Sequence, residues 1–557
     1  GLDPAKVPEA VRRILADTGS GTKPAAASAG SACRVIGDIA EGATARFDPN
    51  EQRLDLSIPQ IYLMRSARGY VPPERWDRGI DAGLLTYHYS DFRFAGPSGT
   101  TTQRFLGLRG GVNLGAWRLR HDGSFSSNAS ERHYQSVNTN VQRDITPLLA
   151  TMTLGDTITD GRLFDSVGLR GFQLASDDRM LPDSMRGYAP VVRGEARTNA
   201  RVSIRQNGVV LYETVVPPGP FVINDLYAMA SGSDLQVTIT EADGSQRVSI
   251  VPYSPMPQLL REGAMRWGVS VGTLRNIGAP EGTPLLQATL QRGLNNTVTA
   301  EAGAQLSRDY AAVLAGGAFN TPVGSFAADA TVSRFDAPRL GIKHGASFRA
   351  SYSKFLPLTL TNLTFAAYRN STVNYYSLSE AMQLERLATD SVAVPIIGRS
   401  RERAVLSVNQ ALGASTSLAL SALSQSYWDR IGHDRTYQMT LGWRIGRASL
   451  GVTLSRNVPT SGVAADTRAS VTFSMPLGDE NRWSTNSQVT RDSGGGTSLQ
   501  AGVSGVAGED NRYGVNLSDT RNTSGNTVSV GGSYRGNAVM LTGNLSRGPS
   551  TTQSSVT

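Results

Sequence analysis

The sequence predicts an all-β protein: a large transmembrane β-barrel of roughly two dozen strands with a small β-sandwich inserted into it. Three observations carry that expectation. Strand after strand in the last third of the chain alternates apolar with small polar residues. A short stretch, 188–253, packs several hairpin signals between two groups of prolines. No run among the 557 residues approaches the ~18 consecutive apolar residues of a membrane-crossing helix, so only strands are left to cross a bilayer.

The alternation is the strongest signal. Tyr437, Met439, Leu441, Trp443 and Ile445 fall on one face of a strand, with Gln438, Thr440, Gly442 and Arg444 on the other. Ala448, Leu450, Val452 and Leu454 repeat the pattern, as do Ala469, Val471, Phe473 and Met475, and then Tyr513, Val515 and Leu517. Successive side chains of a strand point to opposite faces, so each strand has one apolar and one polar side. A soluble sandwich would need a second layer over every apolar face. Lipid outside and water inside accounts for the pattern directly, and because unpaired strand edges cannot face lipid the sheet must close. The barrel is expected over 80–187 and 256–557; about 400 residues at ~17 per strand with its turn give roughly two dozen strands. At ~4.8 Å strand spacing and ~40° tilt the backbone diameter is about 48 Å, leaving a lumen nearly 40 Å wide.

The stretch between these segments, 188–255, reads as a separate small domain. Val202 and Ile204 alternate with polar residues before Asn207-Gly208; Leu235, Val237 and Ile239 alternate before Asp243-Gly244, which leads into Val248 and Ile250. Asn-Gly and Asp-Gly tolerate positive φ and are strong hairpin signals. Pro182 and Pro190 precede the stretch, and Pro252, Pro255 and Pro257 follow it, as suits a domain inserted into a loop of another. A domain of this length should measure about 28 Å across, small enough to sit within such a lumen.

Composition excludes more than it assigns. The chain is 18% charged and 39% hydrophobic, with 59 Gly and 26 Pro. The net charge of +8 reads as ordinary surface charge or as basic lumen and headgroup contacts. No dense basic block interleaved with aromatics points to nucleic acid. The five histidines, His88, His121, His133, His344 and His433, are scattered without metal-ligand spacing. No nucleophile elbow, phosphate loop or dinucleotide fingerprint is present. Pairs such as Asp177-Asp178, or Glu301 with Asp309, read as turn or lumen residues rather than an acid/base couple. The sequence therefore gives no reason to expect an enzyme, a cofactor or a small-molecule substrate.

The remaining segments fall in order. Pro4 to Leu15 has helical spacing, Gly19 to Gly30 reads as a loop, and ARFDPNEQRLDLSIPQ ends in the alternating run Arg53 to Gln60. Residues 1–63 form one unit; 64–79, with RSARGYVPPERWDRG, forms an extended linker. IDAGLLTYHYS, from Ile80, opens the barrel, and GVNLGAWRLRHDG and VQRDITPLLATMTLGD continue it. Ser377 to Ala388 breaks the β pattern with helical spacing of Leu378, Met382 and Leu387, Ser379 as the cap and Glu380 in the first turn. Cys33 is the single cysteine: a lone buried thiol, or half of a pair completed outside this sequence. The chain starts at Gly1 and stops at Thr557 inside a strand-like run, so both ends are expected to continue.

LPDSMRGYAPVVRGEA, VPPGPFVINDLY and LQVTITEADGSQ resemble the plug region of the fimbrial usher proteins of the chaperone–usher pathway, and the flanking segments above resemble their N-terminal domain, linker and barrel. The resemblance implies an outer-membrane protein that receives pilus subunits from periplasmic chaperone–subunit complexes, passes them through a plug-gated barrel and supports fimbrial assembly by donor-strand exchange. Its partners would be those complexes, the pilus subunits and outer-membrane lipid, with no nucleic acid and no small-molecule substrate. The gate would be the 188–255 domain, carrying Tyr188, Pro190, Asn207, Gly208, Pro217, Pro218, Phe221, Asp225 and Tyr253. The hairpin loop Asp156 to Phe164 and the helix bearing Ser379 and Met382 would hold it, although the helix also reads as an ordinary extracellular one. Residues 1–63 would be the remainder of the periplasmic N-terminal domain, with Cys33 disulfide-bonded to a cysteine before Gly1; two further C-terminal periplasmic domains of the family are not in this sequence. On the residues alone two rivals stand: a passive plugged channel or solute transporter, and a secreted β-rich adhesin. In plugged transporters the plug precedes the barrel, whereas here it interrupts the barrel.

Overall fold

The computed structural model describes residues 43–557 apart from short stretches, the longest being 60–66, 227–234, 242–245, 252–257, 276–281 and 390–397. Twenty-four strands close into one barrel. Each pairs antiparallel with its neighbours, from Ala82–Gly96 round to Thr552–Val556, and these two close the ring through Asp91↔Val556 and Ala95↔Thr552. Closure removes every lipid-exposed strand edge.

The alternation expected from sequence is the observed one. Tyr437 and Trp443 on the strand His433–Ile445 are 46% and 48% exposed on the outer surface. On the adjacent strands Thr440 and Thr453 sit opposite each other on the inner face, with hydroxyls 3.4 Å apart. The inner face is not uniformly covered. Along Pro284–Gly293, Val298–Leu306 and Gly324–Ala337 the inward polar side chains Gln287, Gln291, Glu301, Gln305, Thr331 and Ser333 are buried. Four of them pair across neighbouring strands: Gln291 donates to Glu301 (2.7 Å) and Gln305 to Gln287 (2.8 Å). Among the described residues of 433–557, by contrast, Gly531 alone is buried. The wall is thus lined by other structure along one arc and bare along the other.

Between the sixth and seventh barrel strands, Gly168–Ser176 and Met265–Arg275, the chain leaves the wall. The two strands pair with each other, Gly268↔Ala175 to Arg275↔Gly168, so the barrel ladder continues unbroken past the insertion. The inserted segment forms a four-stranded sheet, ordered Val209–Val216, Ala200–Gln206, Leu235–Thr240, Gln246–Val251, and a two-stranded sheet of Gly219–Ile223 and Val192–Ala196. Val202, Ile204, Leu235 and Val237 from the first sheet meet Val192, Phe221 and Ile223 from the second in one buried core. Each large side chain so buried contributes about 1.5–3 kcal/mol. Within the two-stranded sheet the Phe221 ring lies over its register partner Gly194, where a Cβ would stand 2.5 Å from the ring.

Val248 and Ile250 do not enter this core; they lie on the outer face of the edge strand, 55% and 59% exposed, because their register partners Thr238 and Gln236 alternate with the buried Leu235, Val237 and Ile239. The hairpin after Thr240 closes at Thr240↔Gln246, and Asp243-Gly244 within it lie outside the described residues. In the first hairpin Gln206 pairs with Val209 on either side of Asn207-Gly208, which also lie outside the described residues.

Strand parity defines two rims. The insertion leaves and re-enters at one, here the proximal rim, together with the connections 294–297, 322–323 and 446–447. The distal rim carries the connection 159–167 and the longest one, 372–399, which contains α1 (Leu378–Thr389), the one α-helix among the described residues. Outside the insertion the proximal connections are short, the pattern of barrels whose short turns face the periplasm and whose long loops face outward.

Candidate functional site

The sandwich is attached to the barrel through a compact set of contacts at the proximal rim. Asn296, in the turn between Pro284–Gly293 and Val298–Leu306, pairs with the backbone of Val191 through both ends of its amide: Val191 N donates to Oδ1 (2.8 Å) and Nδ2 donates to Val191 O (2.5 Å). Tyr188 Oη donates to Asn296 O (2.6 Å). Arg261, only 2% exposed, sits at the returning connector and spreads its guanidinium over four backbone carbonyls: Gly187 (2.9 Å) and Arg186 (3.4 Å) of the outgoing connector, and Asn224 (3.3 Å) and Leu226 (2.6 Å) of the sandwich. Five donors in a fixed fork suit a guanidinium to this role.

Arg261 is itself held against the wall. Gly263 N donates to Gly293 O and Gly293 N donates to Ala264 O, both at 2.9 Å. A Cβ on Gly293 would lie 1.9 Å from Arg261 O, so only glycine admits the connector at this distance. Leu260 N donates to Thr299 Oγ1 (2.9 Å). Leu259 and the inward-facing Ala318 and Ala327 complete the sandwich core from the barrel side. One ion pair crosses the same junction: Arg193 of the sandwich grips Glu262 with both Nη atoms, at 2.8 and 2.6 Å. That bond holds the Glu262 carboxyl below its ordinary range and raises the guanidinium. On the outgoing connector Arg179 does the same to Asp177, whose Oδ1 also accepts from Arg179 N.

A second cluster occupies the distal rim. The 159–167 connection turns inward and buries Leu163, Phe164 and Val167 with Leu378, Ala381 and Met382 of α1, against Leu314, Tyr310 and Phe335 of the wall. Phe164 lies over Gly303, where a Cβ would approach its ring to 2.6 Å. The helix starts with a capping box: Ser377 Oγ and N both donate to Glu380 Oε2 (2.9 and 2.8 Å), and Glu380 N donates back to Ser377 Oγ (3.4 Å). Ser377, not Ser379, is therefore the cap; both serines precede an acidic or apolar run, and the Glu three residues on decides between them. At the base of the hairpin Asp156, nearly fully buried, accepts from Arg170 Nε and pairs with Arg275 Nη1, both at 2.6 Å, and accepts from Thr139 N (3.1 Å). Arg170 and Arg275 belong to the two strands that flank the insertion, so Asp156 staples the seam where the sandwich departs.

Of the residues singled out from sequence, Tyr188, Pro190 and Phe221 are buried at the sandwich and its junction, while Pro217 and Pro218 are half-buried in the connection before Gly219–Ile223. Phe164 and Met382 belong to the distal cluster, and Asp156 is buried at the base of the hairpin against Arg170 and Arg275. Asn207, Gly208, Asp225, Tyr253 and Cys33 lie outside the described residues. Sequence reasoning did not find Asn296, Arg261, Glu262 or Gly293. The doubled Asn295-Asn296 between two alternating runs was the available signal for the first. Among the described residues no group of His, Cys, Asp or Glu could hold a metal ion, and no helix is long and apolar enough to cross a membrane.

Comparison with known proteins shows which family builds this arrangement. The outer membrane usher protein family matches residues 105–557, and the PapC N-terminal domain family matches 9–91. The chain belongs to the outer membrane usher family. Among curated ushers, HifC of Haemophilus influenzae is 38% identical over 486 residues, covering 85% of this chain and 58% of that protein. FimD of Escherichia coli K12 is 40% identical over 461 residues, covering 78% and 52%. The chain thus spans between half and three-fifths of the length of these ushers. A solved structure of the P pilus usher (PapC) translocation pore superposes with a TM-score of 0.59 at 27% identity, covering 85% of this chain and 98% of that one. The E. coli P pilus tip assembly intermediate PapC-PapD-PapK-PapG gives 0.69 at 28% identity, covering 92% and 65%. This usher is accordingly an outer-membrane β-barrel.

Proposed function

We propose that this chain is the pore-forming part of a pilus-assembly usher. It takes pilus subunits delivered by a periplasmic chaperone, passes them through the barrel and supports their polymerisation by donor-strand exchange, in which a strand of one subunit completes the sheet of the next. The 188–255 sandwich is its plug. Residues 1–63 belong to the periplasmic N-terminal domain, 64–79 link it to the barrel, and 80–187 with 256–557 form the barrel.

The observation that carries this reading is the unbroken ladder past the insertion: Gly168–Ser176 and Met265–Arg275 pair directly, so the sandwich can leave the lumen without opening the wall. A tethered body of about 28 Å beside a bore nearly 40 Å wide can close the resting pore and yield to a folded subunit. The distal hairpin and α1 share a core with each other and the wall rather than with the sandwich strands, so in this reading they brace the plug by stiffening the covered arc. The related P pilus structure contains a usher together with PapD, PapK and PapG, which favours the same partner class here. Subunit folding supplies the driving force, so the reaction requires no nucleotide.

Planar-bilayer conductance tests it. The cognate chaperone–subunit complex should convert the closed pore to a large open state, and chaperone alone should not. A pore indifferent to the complex, with flux that saturates in a small solute, would favour a passive transporter instead.

A further inference from the structure

The lipid-facing surface carries a feature that translocation does not use. Around ten consecutive strands, nine from His433–Ile445 to Thr552–Val556 and then Ala82–Gly96, arginines stand at the distal ends of the outward faces. They are Arg435, Arg456, Arg491, Arg521, Arg547 and Arg93, all exposed. Each shares its strand face with lipid-facing residues by the period of two: Arg435 with Tyr437 and Trp443, Arg491 with Val489 and Trp483, Arg521 with Leu517 and Tyr513. Arg521 is paired with Asp519 (3.0 Å); the other five have no acidic partner among the described residues. The proximal ends of the same faces carry Trp443, Phe473, Trp483, Tyr513, Tyr534 and Leu541, without a basic residue.

The spacing is regular. Arg435 and Trp443, Arg491 and Trp483, and Arg521 and Tyr513 are each eight residues apart on one strand. Eight residues at ~3.3 Å and ~40° tilt make about 20 Å along the membrane normal, close to the ~25 Å apolar band of such barrels. The arginines therefore stand where acyl chains end and headgroups begin, in the leaflet at the distal rim. Unpaired guanidiniums bordering hydrocarbon are costly unless anions meet them, and guanidinium binds phosphate through two parallel hydrogen bonds. Connections at the proximal rim handle their arginines differently: Arg482 pairs with Glu480 (2.7 Å), and Arg447 donates to Asn481 Oδ1 (2.6 Å).

We propose that this arginine arc binds phosphorylated glycolipid of the outer leaflet, the guanidiniums taking the headgroup phosphates while the apolar band takes the acyl chains. The long distal loops place that rim outward. The arc runs along the bare side of the barrel, opposite the wall braced by the sandwich and α1, so a shell of bound lipid would reinforce the part of the wall with no internal support.

The test is lipid retention by the protein purified in detergent, read by native mass spectrometry and by the heat-unfolding midpoint. Bis-phosphorylated lipid A should bind in several copies and raise the midpoint; the same lipid stripped of phosphate, and inorganic phosphate alone, should not. Replacing Arg93, Arg435, Arg456, Arg491 and Arg547 together by Gln should weaken binding at least tenfold, whereas R447Q at the other rim should leave it unchanged. Equal binding of the dephosphorylated lipid would overturn the proposal, and that comparison needs no variant. Equal binding by a folded five-site variant would overturn it too, and stabilisation by inorganic phosphate alone would assign the arc to free anions rather than lipid.

Discussion

Replacing Arg261 by methionine should unlatch the plug. The side chain is buried and donates to four carbonyls, but only two of them, Asn224 O and Leu226 O, belong to the sandwich. Those two bonds break when the sandwich moves away from its connector; the bonds to Gly187 and Arg186 travel with the junction. A hydrogen bond to a charged group contributes about 1.5–3 kcal/mol, so two of them at the low end amount to ~3 kcal/mol. Methionine fills similar volume without donors, so the loss falls on the docked state. At 1.4 kcal/mol per decade, ~3 kcal/mol shifts the closed-to-open ratio by roughly 150-fold. Single-channel recording in planar bilayers reads this directly as opening frequency, and heat-modifiable migration on a gel confirms that the barrel is folded. A folded Arg261→Met protein whose open probability rises less than threefold would refute the role of this latch.

The other perturbations act at distinct points. Gly293→Ala puts a Cβ 1.9 Å from Arg261 O against backbone that cannot yield, so it should open the pore as strongly as Arg261→Met while leaving the sandwich core intact, checked by hydrogen exchange of 192–251. Met382→Ala removes a fully buried side chain from the distal cluster and should cost about 2–5 kcal/mol of local stability, seen as faster proteolysis within 372–399 and frequent brief openings. Acid should loosen the junction: the Glu262 and Asp177 carboxyls lie below their ordinary values of 4.5 and 3.8, so the stability they add is present above those values and is lost as pH falls below them. Arg193 is half exposed, so the effect of its pair is a few tenths of a kcal/mol, and it should vanish in Glu262→Gln; a transition centred above pH 6 would point to other groups.

Much of the barrel was legible because its physics is local. Lipid on one side and water on the other forces a period of two, and Tyr437 to Ile445 displays it without reference to any other strand. The sandwich announced itself through Val202, Ile204, Leu235 and Val237, all buried as their alternation required. Val248 and Ile250 have the same alternation but lie on an edge strand, where the pattern alone cannot say which face is inner. The latch was illegible for a different reason. Asn296 meets Val191 across 105 residues of sequence, and Arg261 meets Gly187 across 74. An isolated arginine before a strand carries no mark of the carbonyls it will find. Nor does a glycine show, without the fold, whether it serves a turn or, like Gly293, a close approach.

The central claim is that the 188–253 stretch closes the pore, and removing it is the most direct measurement. Deleting these residues and joining the ends through a short Gly/Ser linker preserves the pairing of Gly168–Ser176 with Met265–Arg275, so the barrel should still insert. A large, persistently open conductance in planar bilayers, with outer-membrane sensitivity to bulky antibiotics in cells, is the predicted result. A deletion variant that inserts yet conducts no more than the intact protein would contradict the account.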